Sequence, residues 1–503
     1  MDHQYDLVVV GSGLGGLACG VFFAKEGYKV CVLERDKQIG GNLQTYVRDK
    51  VIFDSGIHYV GGLGEGQNLN QIFKYFEIMD KLKIQKMDED VVDAIRFAGD
   101  PKTYKHGHGY ERFIKNLIAD FPEEEEPIRA YCTEIQRICQ KFPLYNLRSG
   151  DAFEKNDVLE FDTRTYIESI TQNIKLQNVL AGSNLLYAGE GYKTPLYVHA
   201  LIINHYIEGS YRFVDGGSQI ARLLTKQIRN RQGDVKTRKQ VKRLVEQNGK
   251  IEFAECADGH RYFAKLFISN AHPSQTLDLV ESDLIKKAYR SRIKGLENSI
   301  SVFSVNIVMK KNSFKYLNHN IYYLGMEGAW DVINYKPEEW PGGFALFFST
   351  SSNQNGFADG VTIMTYMRYQ EVAQWKDTFN TVHDERSRGE EYEQFKKMKA
   401  EQLIDYADKA IVGLKENIHS YYVATPLTVR DYIGTEDGSL YGVTKDYRNP
   451  LKSFISPRTK IPNLLLTGQN LNLHGVLGVA MSAIVTSSQI FGVEYLLEKI
   501  KNA

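Results

Sequence analysis

The stretch LVVVGSGLGGLACGVFFAKEGYKVCVLE, from Leu7 to Glu34, decides the fold. It opens on four apolar residues, Leu7 to Val10, which have the length and composition of a buried parallel strand. That strand runs straight into Gly11-Ser12-Gly13-Leu14-Gly15-Gly16, after which Leu14, Leu17, Ala18, Val21 and Phe22 recur along one face of a helix ending near Gly27. Val30 to Leu33 then forms a second buried strand that stops at Glu34, completing a βαβ unit. Gly11 permits the tight turn, Gly13 lets a pyrophosphate approach the backbone, and Gly16 lets helix and strand pack closely. The helix N-terminus faces the phosphates with free N–H groups and a favourable dipole. Glu34 stands close to the ~20 residues beyond the glycines expected of an acid that bonds a ribose 2′-hydroxyl. Its charge would repel a 2′-phosphate, so the site suits a dinucleotide without one.

The rest of the composition bounds the class. The 503 residues carry 62 basic and 62 acidic side chains, a balance that argues against a dedicated nucleic-acid binder. The length predicts two or three domains, each with a core that needs no disulfide or metal. Five cysteines, without a CxxC pair, argue against a disulfide framework or a cysteine-built zinc site. The opening MDHQYD lacks the basic and apolar segments of a signal peptide, and no run reaches the ~18 apolar residues of a membrane span. The expectation is a cytoplasmic protein, peripheral to a membrane at most.

Outward from the opening unit, helices are expected from Tyr110 to Tyr145, where Glu123 to Glu126 suit a helix N-terminus, and from Leu196 to Ile207 behind Thr194-Pro195. Asn248-Gly249 and Asp258-Gly259 split Val235–Lys265 into three strands of a meander. Phe267 to Ala271 and Asn463 to Thr467 are returning strands, and the charged stretch from His383 to Asn417 is a solvated helical region. His106 and His108, in KHGHGY, lack a third ligand nearby and predict a surface turn, with no metal site.

NAD and FAD share the glycine fingerprint, and other motifs separate them. Gly40-Gly41, FDSGIHYVGG from Phe53, YRFVDGGSQIARLL from Tyr211, ATPLTVRDYIGTEDGSLYG from Ala424 and SPRTKIPNLLLTGQNLNLHGVLGVAMSA from Ser456 follow in order. This series resembles the flavoprotein family of phytoene desaturases, carotenoid isomerases and retinol saturases, and Phe53 to Gly62 is most similar to the retinol saturase branch. The chain departs from the family in carrying Asp215, not Pro, before Gly216-Gly217, and Gln469, not an acid, after Gly468.

The resemblance implies a doubly wound, Rossmann-type FAD domain (1–90, 205–275 and 415–503) interleaved with an α+β substrate domain (91–204 and 276–414). It implies FAD contacts from Gly11, Gly13, Gly15, Gly16, Glu34, Arg35, Gly40, Gly41, Asn42, Val235, Gly468, Gln469, Gly478 and Val479. The glycine-rich turn before Val479 would aim a second helix N-terminus at the flavin, where its dipole favours an anionic reduced ring.

The implied activity is that of an FAD-dependent oxidoreductase acting on C=C or CH–CH bonds of an apolar polyene, isoprenoid or related lipid. Hydride would pass at flavin N5, and saturation is favoured over desaturation or isomerisation. His58, Tyr59 and His474 lie in motifs near the flavin and are the proton-handling candidates. Tyr322-Tyr323 and Phe347-Phe348 are candidate pocket aromatics, with core packing as the alternative. GGLGEG, from Gly61 to Gly66, lacks the βαβ unit of a second fingerprint. Electrons would therefore come from transiently bound NAD(P)H or from an external carrier, and the redox partner is left open. A flavin amine or porphyrinogen oxidase, or a non-catalytic flavin- and lipid-binding protein, are the competing readings. Eight basic residues from Lys226 to Arg243, against Asp234 alone, mark a candidate contact with a membrane surface.

Overall fold

The computed structural model describes residues 2–326, 328–382 and 384–503, and it is a mixed α/β architecture built on two seven-stranded sheets. In the first sheet, Asp2–Val10 pairs in parallel with Val30–Leu33 on one side and Arg261–Ser269 on the other. Asp234–Lys236 extends the sheet beyond Val30–Leu33, and Leu464–Leu466 extends it beyond Phe267–Ser269, both in parallel. The meander Val241–Gln247, Lys250–Cys256 and Arg261–Ser269 is antiparallel, and Asn248 and Gly249 turn its first hairpin at φ of 53° and 80°.

The first helix, Leu14–Lys25, is buried all round from Leu14 to Ala24 rather than along one stripe. The cause is its position, wedged between the sheet and the helices Ser218–Asn230 and Gly475–Phe491. A Cβ on Gly20 would lie 2.7 Å from Ile228 Cδ1, so the glycine sets how closely two of these helices approach. Each fully buried Val or Phe on this helix contributes about 1.5–3 kcal/mol.

The second sheet runs Ile418–Ala424, Ser301–Met309, Gly360–Met367, Gly343–Phe348, Asn320–Leu324, Asp93–Phe97 and Thr103–His106. It is antiparallel except where Asn320–Leu324 meets Asp93–Phe97. Helices Tyr110–Asp120, Glu125–Gln140 and Leu196–Glu208 share its apolar core.

Two domain boundaries therefore move. Ile418–Ala424, expected in the FAD domain, is an edge strand of the second sheet. Residues 276–296, expected in the substrate domain, pack Leu277, Val280, Ile285, Ile293 and Leu296 onto the first sheet. The charged stretch also differs from expectation: Glu390–Ala410 is helical but buries Tyr392, Leu403, Ile404 and Ala407, while His383 lies outside the described residues. His106 is buried, not at the surface, with Nε2 bonded to the Val179 carbonyl at 3.0 Å.

Asp215 explains its own departure from the family pattern. Its φ is 63°, which proline's ring forbids, and its carboxylate accepts hydrogen bonds from the Ser352 backbone N–H and hydroxyl. Those bonds tie the glycine pair to the second sheet's loops.

Candidate functional site

One cavity of about 1510 Å³ opens between the two sheets, larger than the ~300–1,000 Å³ that holds a single drug-sized ligand. At one end it is lined by Gly11, Gly13, Gly15, Glu34, Arg35, Gly40, Gly41 and Asn42. The Leu14–Lys25 helix begins here at Gly13, with no capping side chain and no acid in its first turn. Gly475–Phe491 begins the same way behind His474, and Gly468, Gln469, Gly478 and Val479 line the cavity beside it. Two uncapped, positive helix ends thus open onto one cavity; the first, behind the glycine turn, suits an anion such as a pyrophosphate, and the second, behind His474, opens nearer the aromatic end.

The glycines have separate reasons. A Cβ on Gly13 or Gly15 would stand 2.6 Å from the Asn270 amide, so these positions keep backbone and asparagine in contact. Gly16 does not line the cavity; a Cβ there would meet the Gly11 carbonyl oxygen at 2.1 Å, which makes it a helix–strand packing residue. Glu34 is fixed at the rim. Its Oε2 accepts from the Ser12 N–H (2.9 Å) and Ser12 hydroxyl (2.5 Å), and its Oε1 accepts from the Asp36 N–H (2.9 Å). Arg35 spends its guanidinium elsewhere, donating to the carbonyls of Asp431 (2.7 Å) and Tyr432 (3.1 Å) at the end of the Pro426–Ile433 helix.

Val235, like Gly16, does not line the cavity; it sits on the edge strand of the first sheet. It pairs with Val32 and packs in the core, whereas Lys239, Gln240 and Val241, just beyond the strand, reach the cavity wall. Asn270 was missed for want of a motif. Its signal is positional, since it ends the returning strand beside Val10, where the sheet's connections cross over.

The residues present fit FAD: two uncapped helix ends, a cavity-lining acid at the end of the second strand held by backbone and hydroxyl donors, and glycines that leave no room for side chains against Asn270.

The far end of the cavity is aromatic. His58 lies flat on Phe347, with ring centroids 4.3 Å apart and planes 4° from parallel. Tyr59 packs at a tilt against Tyr206, with ring centroids 4.5 Å apart and planes at 38°, and His474 against Tyr441 at 4.5 Å and 47°. Leu144, Tyr197, Leu201, Ile202, Val302 and Met364 complete an apolar wall. All three proton-handling candidates line this cavity. Of the four candidate aromatics, Phe347 lines the cavity; Tyr322, Tyr323 and Phe348 do not.

Their chemistry differs from simple expectation. Burial holds the His58 imidazole down at about 4, with Arg212 adding to the effect. Burial likewise brings His474 to about 4, although its Nε2 meets the Leu186 carbonyl at 2.9 Å. Both rings are neutral at physiological pH. Tyr59 turns its hydroxyl out of the cavity, donating to Asp93 Oδ2 (3.1 Å) and sharing a 2.8 Å bond with Tyr322. Asn320 donates to the same carboxylate (2.8 Å) and accepts from buried Arg212 (2.9 Å). Burial raises Asp93 to about 6 and Tyr59 well above the usual phenol range.

Two further lining residues titrate closer to neutrality. Asp54, raised by burial to about 7, accepts from the Gly217 N–H at 2.7 Å. Lys445, lowered by burial to about 8, reaches the Ser453 carbonyl at 3.3 Å and stands in a wall shared with a second cavity of about 250 Å³. Neither residue belongs to a sequence signature of proton transfer.

The chain is similar to known proteins along its whole length. A family model described as an NAD(P)-binding Rossmann-like domain matches residues 9–76. All-trans-retinol 13,14-reductase of Danio rerio is 27% identical, over 99% of this chain and 88% of its own. Chloroplastic prolycopene isomerase of Daucus carota is 24% identical, over 97% of this chain and 80% of its own. Among solved structures, an oxidoreductase from Methanosarcina mazei superposes with a TM-score of 0.64 at 16% identity, covering 96% of this chain and 99% of its own. Putrescine oxidase with bound putrescine gives 0.61 at 13% identity, covering 98% and 100%.

Proposed function

We propose, from the chain's full-length similarity to all-trans-retinol 13,14-reductase and prolycopene isomerase, that it belongs with the family of phytoene desaturases, carotenoid isomerases and retinol saturases and is an FAD-dependent oxidoreductase acting on a C=C bond of an apolar polyene, isoprenoid or related lipid. The observation that carries the reading is the continuity of one cavity from the dinucleotide end to the aromatic end. FAD, when bound, supplies a two-electron carrier whose N5 exchanges hydride with carbon. The chain's own work is alignment and exclusion of water. Phe347, Tyr206 and the aliphatic wall hold an extended apolar chain and keep water from a charged carbon centre.

Saturation also needs a proton. His58 and His474 hold none to give near neutrality, and the Tyr59 hydroxyl is committed to Asp93. Asp54 and Lys445 are the lining groups whose burial brings them nearest to neutral pH. The direction proposed is saturation, with electrons from NAD(P)H or an external carrier.

The test is turnover of the FAD-loaded protein with a chemical reductant and a panel of polyenes, retinoids and unsaturated lipids, followed by mass spectrometry. Gain of two hydrogens is the expected result. Loss of two hydrogens indicates desaturation, unchanged mass with altered geometry indicates isomerisation, and inertness toward every polyene overturns the reading. Reduction of the flavin by amines or a porphyrinogen would favour the oxidase alternative.

A further inference from the structure

Two segments distant in sequence join into one surface at the rim of the cavity. The helix Lys287–Lys294, with Lys286 before it, presents Lys286, Lys287, Arg292 and Lys294 without an intervening acid, while Arg290 turns back to donate to the carbonyls of Leu277 and Val280. Arg292 donates to the carbonyls of Lys452 and Phe454, which fastens the helix to the loop 446–454. That loop carries Arg448 and Lys452 around Leu451, 75% exposed, and Phe454, 54% exposed. Pro450, Leu451, Ser453 and Phe454 also line the large cavity, so the exposed apolar side chains stand at its mouth.

The charges are distributed unevenly. Asp278 pairs with Lys294 and Asp446 with Arg448, and Glu281 and Asp283 lie on the chain leading into the helix. Lys286, Lys287, Arg292 and Lys452 make no ion pair among the described residues. An exposed leucine and phenylalanine among lysines and arginines is the composition of an interfacial membrane anchor, in which the apolar tips enter the acyl boundary and the cations meet anionic headgroups.

We propose that this surface, the Lys286–Lys294 helix with the 446–454 loop, docks on an anionic lipid bilayer and sets the cavity mouth against it. The proposal deepens the functional reading by naming where an apolar substrate comes from, and it rests on that reading only for the substrate's path, not for the docking itself. It also moves the expected membrane contact. In Lys226–Arg243, Arg231 pairs with Glu77, Lys236 with Asp234, Lys239 with Asp258 and Arg243 with Glu255. No large hydrophobic residue in that stretch is among the exposed ones.

The experiment is co-sedimentation of the FAD-loaded protein with phosphatidylcholine vesicles, with and without roughly 30% phosphatidylserine. Binding is expected to require phosphatidylserine and to weaken as salt rises. Leu451→Ser, and separately Lys287→Gln with Lys452→Gln, should each weaken it at least ~10-fold, while Lys226→Gln with Lys242→Gln leaves it unchanged. Flavin absorbance and thermal unfolding confirm that each variant is folded and loaded. Equal binding by all variants, binding indifferent to phosphatidylserine, or no vesicle binding by the parent protein overturns the docking surface. Vesicle binding without polyene turnover overturns the functional reading alone.

Discussion

At the dinucleotide end of the cavity, Gly11, Gly13 and Gly15 come from a single turn, and Glu34 from the next strand. At the aromatic end, His58, Tyr206, Phe347, Tyr441 and His474 arrive from five segments spread along the chain. The first end is made mostly of backbone, whose donors work only if nothing covers them. The second is made of side chains packed against one another, held from behind by the Tyr59–Asp93–Asn320–Arg212 network. The difference teaches where each end is fragile. Adding one methyl group should disable the first, whereas the second should tolerate loss of a polar atom and respond to loss of packing or charge.

The largest effect should follow Gly16→Ala. Its Cβ would meet a backbone carbonyl at 2.1 Å that cannot move without breaking the turn, so loss of about 4 kcal/mol or more, or failure to fold, is expected in thermal unfolding of the apoprotein. Gly13→Ala meets only the Asn270 side-chain amide. It should remain folded yet bind FAD at least ~10-fold more weakly, read by equilibrium dialysis. Equal FAD retention by this variant would break the claim that the turn is built for close approach.

At the aromatic end, Tyr59→Phe removes a donor from Asp93 and should cost about 1–3 kcal/mol in thermal unfolding. FAD content should be unchanged and kcat within about threefold of the parent. A fall of ~10²-fold or more would instead make Tyr59 a participant in proton transfer. Lys445→Met should have the smallest effect. A cation in the wall of the cavity that would hold the flavin would favour the more anionic reduced form, so removing it should lower the midpoint potential, by about 30 mV for ~1.4 kcal/mol in a two-electron couple. The gap between variant and parent should close as pH rises through about 8, because the parent's own lysine then loses its charge.

Much of the first end was legible because it is local. Strand, turn, helix and terminal acid lie within Leu7–Glu34, and short-range periodicity reports them. The sheet position of Val235 is less legible: a valine on a buried strand and one just past its end look alike in sequence, and only the pairing with Val32 shows which it is. The second end depends on the register of long-range strands. Phe347 faces the cavity and Phe348 does not because neighbours on a strand point to opposite faces, and nothing in the dipeptide says which. His58, Tyr59 and His474 were found through motifs, but their neutrality and the outward-turned Tyr59 hydroxyl follow from burial and from Asp93, both set by tertiary packing. In the basic run from Lys226 to Arg243 the sequence shows one acid, Asp234, whereas the fold brings Glu77, Asp258 and Glu255 to three further cations, so that four of the eight are paired.

The most direct test of the two-ended cavity is a single anaerobic half-reaction. The FAD-loaded protein is reduced, freed of excess reductant and mixed with an apolar polyene, while flavin absorbance and product mass are followed together. The account predicts reoxidation of the flavin in step with one equivalent of product heavier by two hydrogens. A flavin that stays reduced with every polyene, or that reoxidises without any change in the polyene's mass, would contradict it.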